Sequence, residues 1–296
     1  MLWTYKKGMS KMKISEIYKT KKLPVSFEIF PPKGDLDMDT LRGMLNDLHS
    51  LSPDFISVTC SAGGVGNSDK TVDIASIVQN EYKINSVAHL TCINSNKKDL
   101  KKTISDMKAR KIENILALRG DRVEGCEATD FAHASDLIKY LSNQGFCIGA
   151  ACYPEGHVEC DNPDKDIDYL KIKQDSGAEF FVSQLFFTND YFYNFREKAV
   201  STGIKQPIIP AVMPILSKSQ ISRMIFMCGA SLPSEIIRLL NKYENQPDDL
   251  REAGIEYAAK QILALINAGV DGIHIYTMNK PDIARKHIQA MKNAGY

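Results

Sequence analysis

The sequence predicts an α/β chain folded as a single-domain (β/α)8 TIM barrel, with a short N-terminal arm and an extra helix before the last strand. Three observations predict it. Eight apolar runs of β type recur along the chain, and an amphipathic helical stretch follows each. The runs are nearly continuous in Val, Ile, Leu, Phe and Ala, which suits parallel strands buried on both faces. No break in composition and no linker divides residues 23–296. The competing architecture is a doubly wound open sheet, but no G-x-G-x-x-G follows the first run.

The strands are expected at 24–30 (PVSFEIF), 55–60 (FISVTC), 86–92 (SVAHLTC), 114–119 (NILALR), 147–153 (CIGAACY), 180–186 (FFVSQLF), 207–213 (PIIPAVM) and 272–278 (GIHIYTM). The helices are expected at about 39–51, 69–81, 97–110, 131–143, 164–176, 190–201, 217–228 and 281–294. Leu100, Ile104 and Met107 show the 3–4 spacing of a helix face. Pro163, Pro233 and Pro281 stand near helix starts, where a missing N–H costs nothing. Two more helical stretches, about 233–243 and 248–268, fit before the last strand. Residues 1–22 carry Lys6, Lys7, Lys11, Lys13, Lys19, Lys21 and Lys22 without a signal-type apolar core. They read as a solvated arm in which residues 14–18 can form a short helix. Met9 or Met12 would serve equally as the natural start.

Composition narrows the function classes. The chain of 296 residues is 44% hydrophobic and 25% charged, with net charge +1, so no overall field argues for nucleic acid or membrane. No apolar run approaches the roughly 20 residues that span a bilayer. The seven cysteines include no C-x-x-C pair, and four of them, Cys60, Cys92, Cys147 and Cys152, lie in or at the ends of expected strands. Reduced core thiols in a cytoplasmic protein follow from that pattern.

Barrel chemistry sits at the C-terminal ends of the strands, and the unusual polar residues collect there. Glu28 interrupts the apolar run 25–30, just before Pro31 and Pro32. An unpaired carboxylate in such a place is costly, and a group so placed tends to hold its proton, which is how a general acid is made. A strand Glu pointing to water, or to a structural Lys or Arg, is the other reading of that stretch. Thr59 ends the second strand, before Ser61–Ala62–Gly63–Gly64. His89 lies in the third, and Arg119–Gly120–Asp121 follow the fourth. Tyr153, Glu155 and His157 follow the fifth, Gln184 is late in the sixth, and Tyr276, Asn279 and Lys280 close the eighth. Taken singly, each has an ordinary structural explanation. Their joint placement at one end argues for a polar pocket at the barrel mouth.

The inventory limits the chemistry of that pocket. His89 and His157 lack a carboxylate at metal-ligand spacing. There is no G-x-S-x-G, and Lys280 is the only strand-end Lys available for a Schiff base. What remains suits a large polar cofactor and acid-assisted chemistry, with the cofactor carrying the harder step.

Several segments resemble, in order, the successive blocks of the methylenetetrahydrofolate reductases. They are FEIFPPK, ISVTCSAGG, AHLTC, ILALRGD, AACYPEGH, LKIKQDSGA, VSQLFF, GIEYAAKQI and GIHIYTMNK, and they cover about residues 24–296. The resemblance implies a (β/α)8 barrel with noncovalent FAD. It also implies reduction of 5,10-methylenetetrahydrofolate to 5-methyltetrahydrofolate by NADH or NADPH, ping-pong through reduced flavin, in one-carbon and methionine metabolism. A homo-oligomer is implied, with an external electron-transfer partner as the alternative donor. Glu28 matches the general acid that opens the folate ring to an iminium, and Asp121 the residue near pterin and flavin. Thr59, Ala62, His89, Arg119, Gly120, Asp121, Ala134, Tyr153, His157, Asp166, Tyr169 and Lys173 match cofactor positions. Gln184 and Asp121 match folate-binding positions, and Lys218 and Lys280 fall at substrate positions.

The chain departs from the family pattern in places. Cys60 and Ser61 replace the usual Tyr and Gly of the second block. Lys218 stands where many members carry an aromatic residue, and Lys280 where most carry Arg, which keeps the charge but loses the bidentate fork. No regulatory domain is expected after residue 296, and so no adenosylmethionine inhibition. Two other classes stay open on the residues alone. One is a flavin-free barrel lyase or aldolase using Glu28 and Lys280. The other is a barrel kept as a noncatalytic partner subunit.

Overall fold

The computed structural model describes residues 12–32, 37–60, 68–121 and 130–296. Ala62, Gly63, Gly64, Cys126 and the lysines of residues 1–11 lie outside the described residues. The order of elements is α1 (Ile14–Thr20), β1 (Val25–Ile29), α2 (Met38–Ser50), β2 (Phe55–Val58), α3 (Ser68–Asn80), β3 (Asn85–Thr91), α4 (Lys97–Ala109), β4 (Asn114–Leu118), α5 (Ala134–Leu141), β5 (Cys147–Cys152), α6 (Pro163–Asp175), β6 (Phe180–Ser183) and α7 (Asn189–Ser201). Then come β7 (Ile208–Ile209), β8 (Ala211–Val212), α8 (Lys218–Cys228), α9 (Ser234–Lys242), α10 (Pro247–Asn267), β9 (Ile273–Tyr276) and α11 (Pro281–Asn293).

Every strand pairs in parallel, in the order β7-β6-β5-β4-β3-β2-β1-β9-β8. The seventh strand, expected as one run over 207–213, is split into β7 and β8 by Pro210. Proline has no N–H to give the ladder. Its carbonyl still accepts from the His274 N–H at 3.0 Å, and the next N–H, of Ala211, donates to the Ser183 hydroxyl at 2.9 Å. β7 keeps register with β6 (Phe181 opposite Ile208), and β8 with β9 (Ala211 opposite His274). The two halves therefore close the barrel between β6 and β9, and the expected eight units are present.

Alternation along each strand sorts the side chains. Phe27 and Ile29 of β1 share a buried cluster with Leu41, Leu45 and Leu48 of α2, so Ser26 and Glu28 face the barrel axis. A second cluster fills the interior with Phe55, Val87, Leu116, Phe180, Val182 and Ile209, and it includes Ile14 and Ile17 of α1. The expectation of a solvated arm is corrected from Met12 onward. The Met12 N–H donates to Asn85 Oδ1 (3.0 Å), the Ile14 N–H to Asn114 Oδ1 (2.9 Å) and the Ser15 hydroxyl to Glu179 (2.7 Å). Asn85 and Asn114 begin β3 and β4, so α1 plugs the N-terminal end of the barrel. Lys19 is exposed, whereas Lys21 pairs with the nearly buried Asp54 at 2.6 Å.

A third cluster stands past the C-terminal ends of β6 and β8, where Leu185, Phe187, Met213 and Ile215 meet Ile221, Ile236 and Leu250 of α8, α9 and α10. Gly254 lets α10 approach this layer. A Cβ there would stand 1.9 Å from the Ile215 carbonyl oxygen. We expect Gly254→Ala to destabilise the fold by about 1–3 kcal/mol or more, because backbone must move. Gly43→Ala in α2, where nothing lies within 4 Å, should instead be neutral or stabilising by up to about 1 kcal/mol. Denaturant titration of the two variants reads the contrast.

Candidate active site at the barrel mouth

Glu28 is the fourth residue of β1, in register with Ser57 on β2 and Tyr276 on β9. Its main chain is held by β9 and the loop after it. The Thr277 hydroxyl donates to the Glu28 carbonyl at 2.7 Å, and the Asn279 amide exchanges two hydrogen bonds with the Phe30 backbone, at 3.0 and 2.8 Å. The Glu28 side chain is 14% exposed, and two imidazoles bracket one of its oxygens. His274 Nε2 lies 3.4 Å from Oε2, and His89 Nε2 lies 3.6 Å from the same atom. Each imidazole is tied to a serine at 2.7 Å: His274 Nδ1 to Ser26 and His89 Nε2 to Ser57.

Burial pushes His89 down to about 4, against a smaller opposing pull from the Glu28 charge. His89 is therefore neutral at neutral pH. Burial, with Glu28 adding to it, pushes the Tyr276 phenol well up, so it stays protonated. His274 and Ser26 belong to this site although neither stands out in the sequence by itself. The available signal was a pair of polar residues on the inward phase of two apolar strands.

A second group gathers where β4 and β5 meet α6. Arg119 makes a two-pronged ion pair with Glu159, at 2.5 and 2.8 Å. Gly120 has φ +85°, and a Cβ there would stand 2.9 Å from Thr91 Cβ, so the turn needs glycine. Asp121 is exposed, and its carbonyl accepts from the Asn94 amide at 2.9 Å. Tyr153 and His157 pack edge to face at 4.7 Å. Lys173 lies 5.2 Å from the centre of the Tyr153 ring and donates to the Ala151 carbonyl at 2.8 Å.

Asp166 is 8% exposed and accepts the His157 N–H at 3.2 Å. Burial raises the Asp166 carboxyl and lowers the Lys173 ammonium, and each charge partly offsets the shift of the other. Burial also lowers His157. Asp166 and Lys173 lie two turns apart on α6, with the half-exposed Tyr169 between them. Ala134 opens α5 and is nearly buried.

The remaining residues are dispersed around the rim. Thr59 follows β2, its N–H donating to the Ile29 carbonyl at 3.0 Å. Gln184 follows β6, half-buried, its amide oxygen accepting the Leu185 N–H at 2.8 Å. Lys218 opens α8, exposed, in a 3.1 Å ion pair with Glu244. Lys280 is exposed at the start of α11. Among the described residues, no group of three His, Cys, Asp or Glu side chains is placed to hold a metal ion, and no helix is long and apolar enough to cross a membrane.

Fold and site together define a parallel (β/α)8 barrel with a largely enclosed carboxyl beneath its C-terminal mouth and a cationic, aromatic group at the rim. The family model of methylenetetrahydrofolate reductase matches residues 13–292. "Methylenetetrahydrofolate reductase 1" of Schizosaccharomyces pombe is 34% identical over 266 residues, which are 87% of this chain but 44% of that protein. "5,10-Methylenetetrahydrofolate reductase" of Pectobacterium carotovorum is 31% identical over 264 residues, 89% of this chain and 88% of that protein. Among solved structures, a Clostridium thermocellum protein described as binding two copies of 5-methyl-5,6,7,8-tetrahydrofolic acid superposes with a TM-score of 0.63 at 16% identity. It covers 96% of this chain and 99% of its own. This chain thus spans less than half the length of the fission-yeast relative and nearly all of the bacterial one. It belongs to the methylenetetrahydrofolate reductase family.

Proposed function

We propose that this chain reduces 5,10-methylenetetrahydrofolate to 5-methyltetrahydrofolate, with FAD bound at the mouth and NADH or NADPH as the electron source. Membership of the family supports the reaction. The observation that carries the mechanism is Glu28, a carboxyl inside the barrel with one edge held by imidazole and the mouth above it.

The donor set at the rim fits a dinucleotide cofactor. Arg119 and Lys173 are cations suited to phosphate, Tyr153 and His157 are flat faces, and Gly120 leaves room for close backbone approach. Ala134, Asp166, Tyr169, Thr59 and His89 complete the proposed cofactor set. FAD, when bound, supplies hydride transfer from the nucleotide to the folate.

The chain's own groups do the rest. Gln184 and Asp121 orient the pterin. Glu28 gives its proton to the departing amine nitrogen of the five-membered ring, which opens to an iminium with an exposed methylene carbon. The carboxylate of Asp121 favours that cation electrostatically. Lys218 and Lys280 stand over adjacent strands and meet the carboxylates of the glutamate tail. The Lys218–Glu244 pair is well exposed, so its own attraction is small and exchangeable.

We expect the purified protein to be yellow and to bleach when NADH or NADPH is added without oxygen. Methylenetetrahydrofolate should then restore the colour. Colourless protein that takes up no added FAD would overturn the proposal.

A further inference from the structure

We propose that Glu159 is a stand-in for the cofactor's phosphate at Arg119, a carboxylate that the phosphate must displace and that thereby sets how tightly the cofactor is held. The inference rests on the reading of Arg119 as a phosphate-binding cation. Each nitrogen of the Arg119 guanidinium has a partner. Nε donates to the Gly120 carbonyl at 3.2 Å, and the two terminal nitrogens donate to the two carboxylate oxygens of Glu159, at 2.5 and 2.8 Å. The fork of an Arg fits a carboxylate and a phosphate alike. An oxyanion can be gripped by two prongs either at the end of the fork or along the side that includes Nε. The side is committed to Gly120 and the end to Glu159, so a two-pronged grip on phosphate requires Glu159 to leave.

Glu159 is the partner with somewhere to go. Its side chain is 54% exposed, against 20% for Arg119. The backbone beneath it is held. The Glu159 N–H donates to His157 Nδ1 at 3.1 Å, and the Cys160 N–H to the His157 carbonyl at 2.8 Å. The same loop is pinned from its other side by the corner between α8 and α9. There the Glu155 carboxylate accepts the Ser231 N–H at 2.9 Å. Gly229, at φ +67°, also makes room for Val158, whose Cγ1 would stand 2.7 Å from a Cβ at that position. The exchange is therefore a rotation of the Glu159 side chain into water, not an opening of the loop. Tyr153 and His157 keep their places while it happens. An ion pair half open to water is weak, so it steadies the guanidinium and still gives way to a dinucleotide's diphosphate, at a modest cost in affinity.

Titration of the full chain with FAD, read by quenching of flavin fluorescence, tests it without turnover. We expect Glu159→Ala to bind FAD about three- to ten-fold more tightly than the wild type, with Glu159→Gln between the two. The gain should vanish in an Arg119→Gln background. That comparison separates release of this fork from the general loss of a negative charge near an anionic ligand. Equal binding in Glu159→Ala and wild type overturns the inference and leaves the cofactor reading standing. Weaker binding in Glu159→Ala does the same, and would make Glu159 a group that orients Arg119 toward phosphate. A gain that persists without Arg119 also overturns it. If neither the wild type nor Glu159→Ala takes up FAD, the cofactor reading fails and the inference falls with it.

Discussion

Glu28→Gln is expected to lose most folate turnover, by about a hundred- to ten-thousand-fold, the usual worth of a positioned general acid. The same variant should bind FAD and be reduced by NADH or NADPH at close to the wild-type rate. The separation follows from where the side chain sits. Glu28 lies in the barrel interior against His274 and His89, whereas the proposed phosphate-binding groups are Arg119, which follows β4, and Lys173 on α6. Gln preserves shape, and its amide can either accept from or donate to His274, but it has no acidic proton. Rapid-mixing absorbance reads the two half-reactions separately. Equal loss of both would remove Glu28 from the acid role, and so would full retention of both.

Much of this site could be seen in the sequence because the physics acting on it is local. A lone Glu in an apolar strand is conspicuous whatever surrounds it, and Arg119, Tyr153 and Gln184 stand at strand ends that the hydrophobic runs locate. The partner of Glu28 was harder to find. His274 lies on the last strand, 246 residues from Glu28, and its strand neighbours are apolar, so by itself it reads as a core histidine. Only barrel closure makes β1 and β9 neighbours.

The same holds for α1. Its apolar content is small, and its burial depends on Asn85 and Asn114, which begin strands far along the chain. Pro210 misled in the opposite direction. The run 207–213 is apolar enough to be one strand, but the missing N–H at its centre is a backbone property that hydrophobicity does not register. Lys218 is identifiable from sequence as a cation at the mouth, but its pairing with Glu244 depends on how α8 and the turn after α9 come together.

A second large effect is expected on stability, with acid pH as the lever. His287 on α11 is fully buried; its Nε2 lies 3.3 Å from the Ile255 carbonyl, and its Nδ1 has no partner. Burial pushes the group down to about 4, whereas in the unfolded chain it titrates near 6.5. The folded state therefore refuses a proton that the unfolded state accepts. Stability from this group is complete above about pH 6.5 and is lost as pH falls toward 4, by about 3 kcal/mol in all and about 2 kcal/mol by pH 5. His89, also lowered to about 4 by burial, adds a loss of the same sign.

Urea unfolding at pH 7.5 and pH 5 measures the drop. His287→Leu should cost stability at both pH values by disturbing the α10–α11 contact, yet fall by about 2 kcal/mol less than the wild type between them. The difference in drop is the informative quantity, because contributions common to both proteins, including carboxylates such as Asp282 that are lowered by ion pairing, cancel in it. An equal drop in both proteins would mean that the buried ring is protonated within the fold, and that the orphaned Nδ1 finds an acceptor when it is.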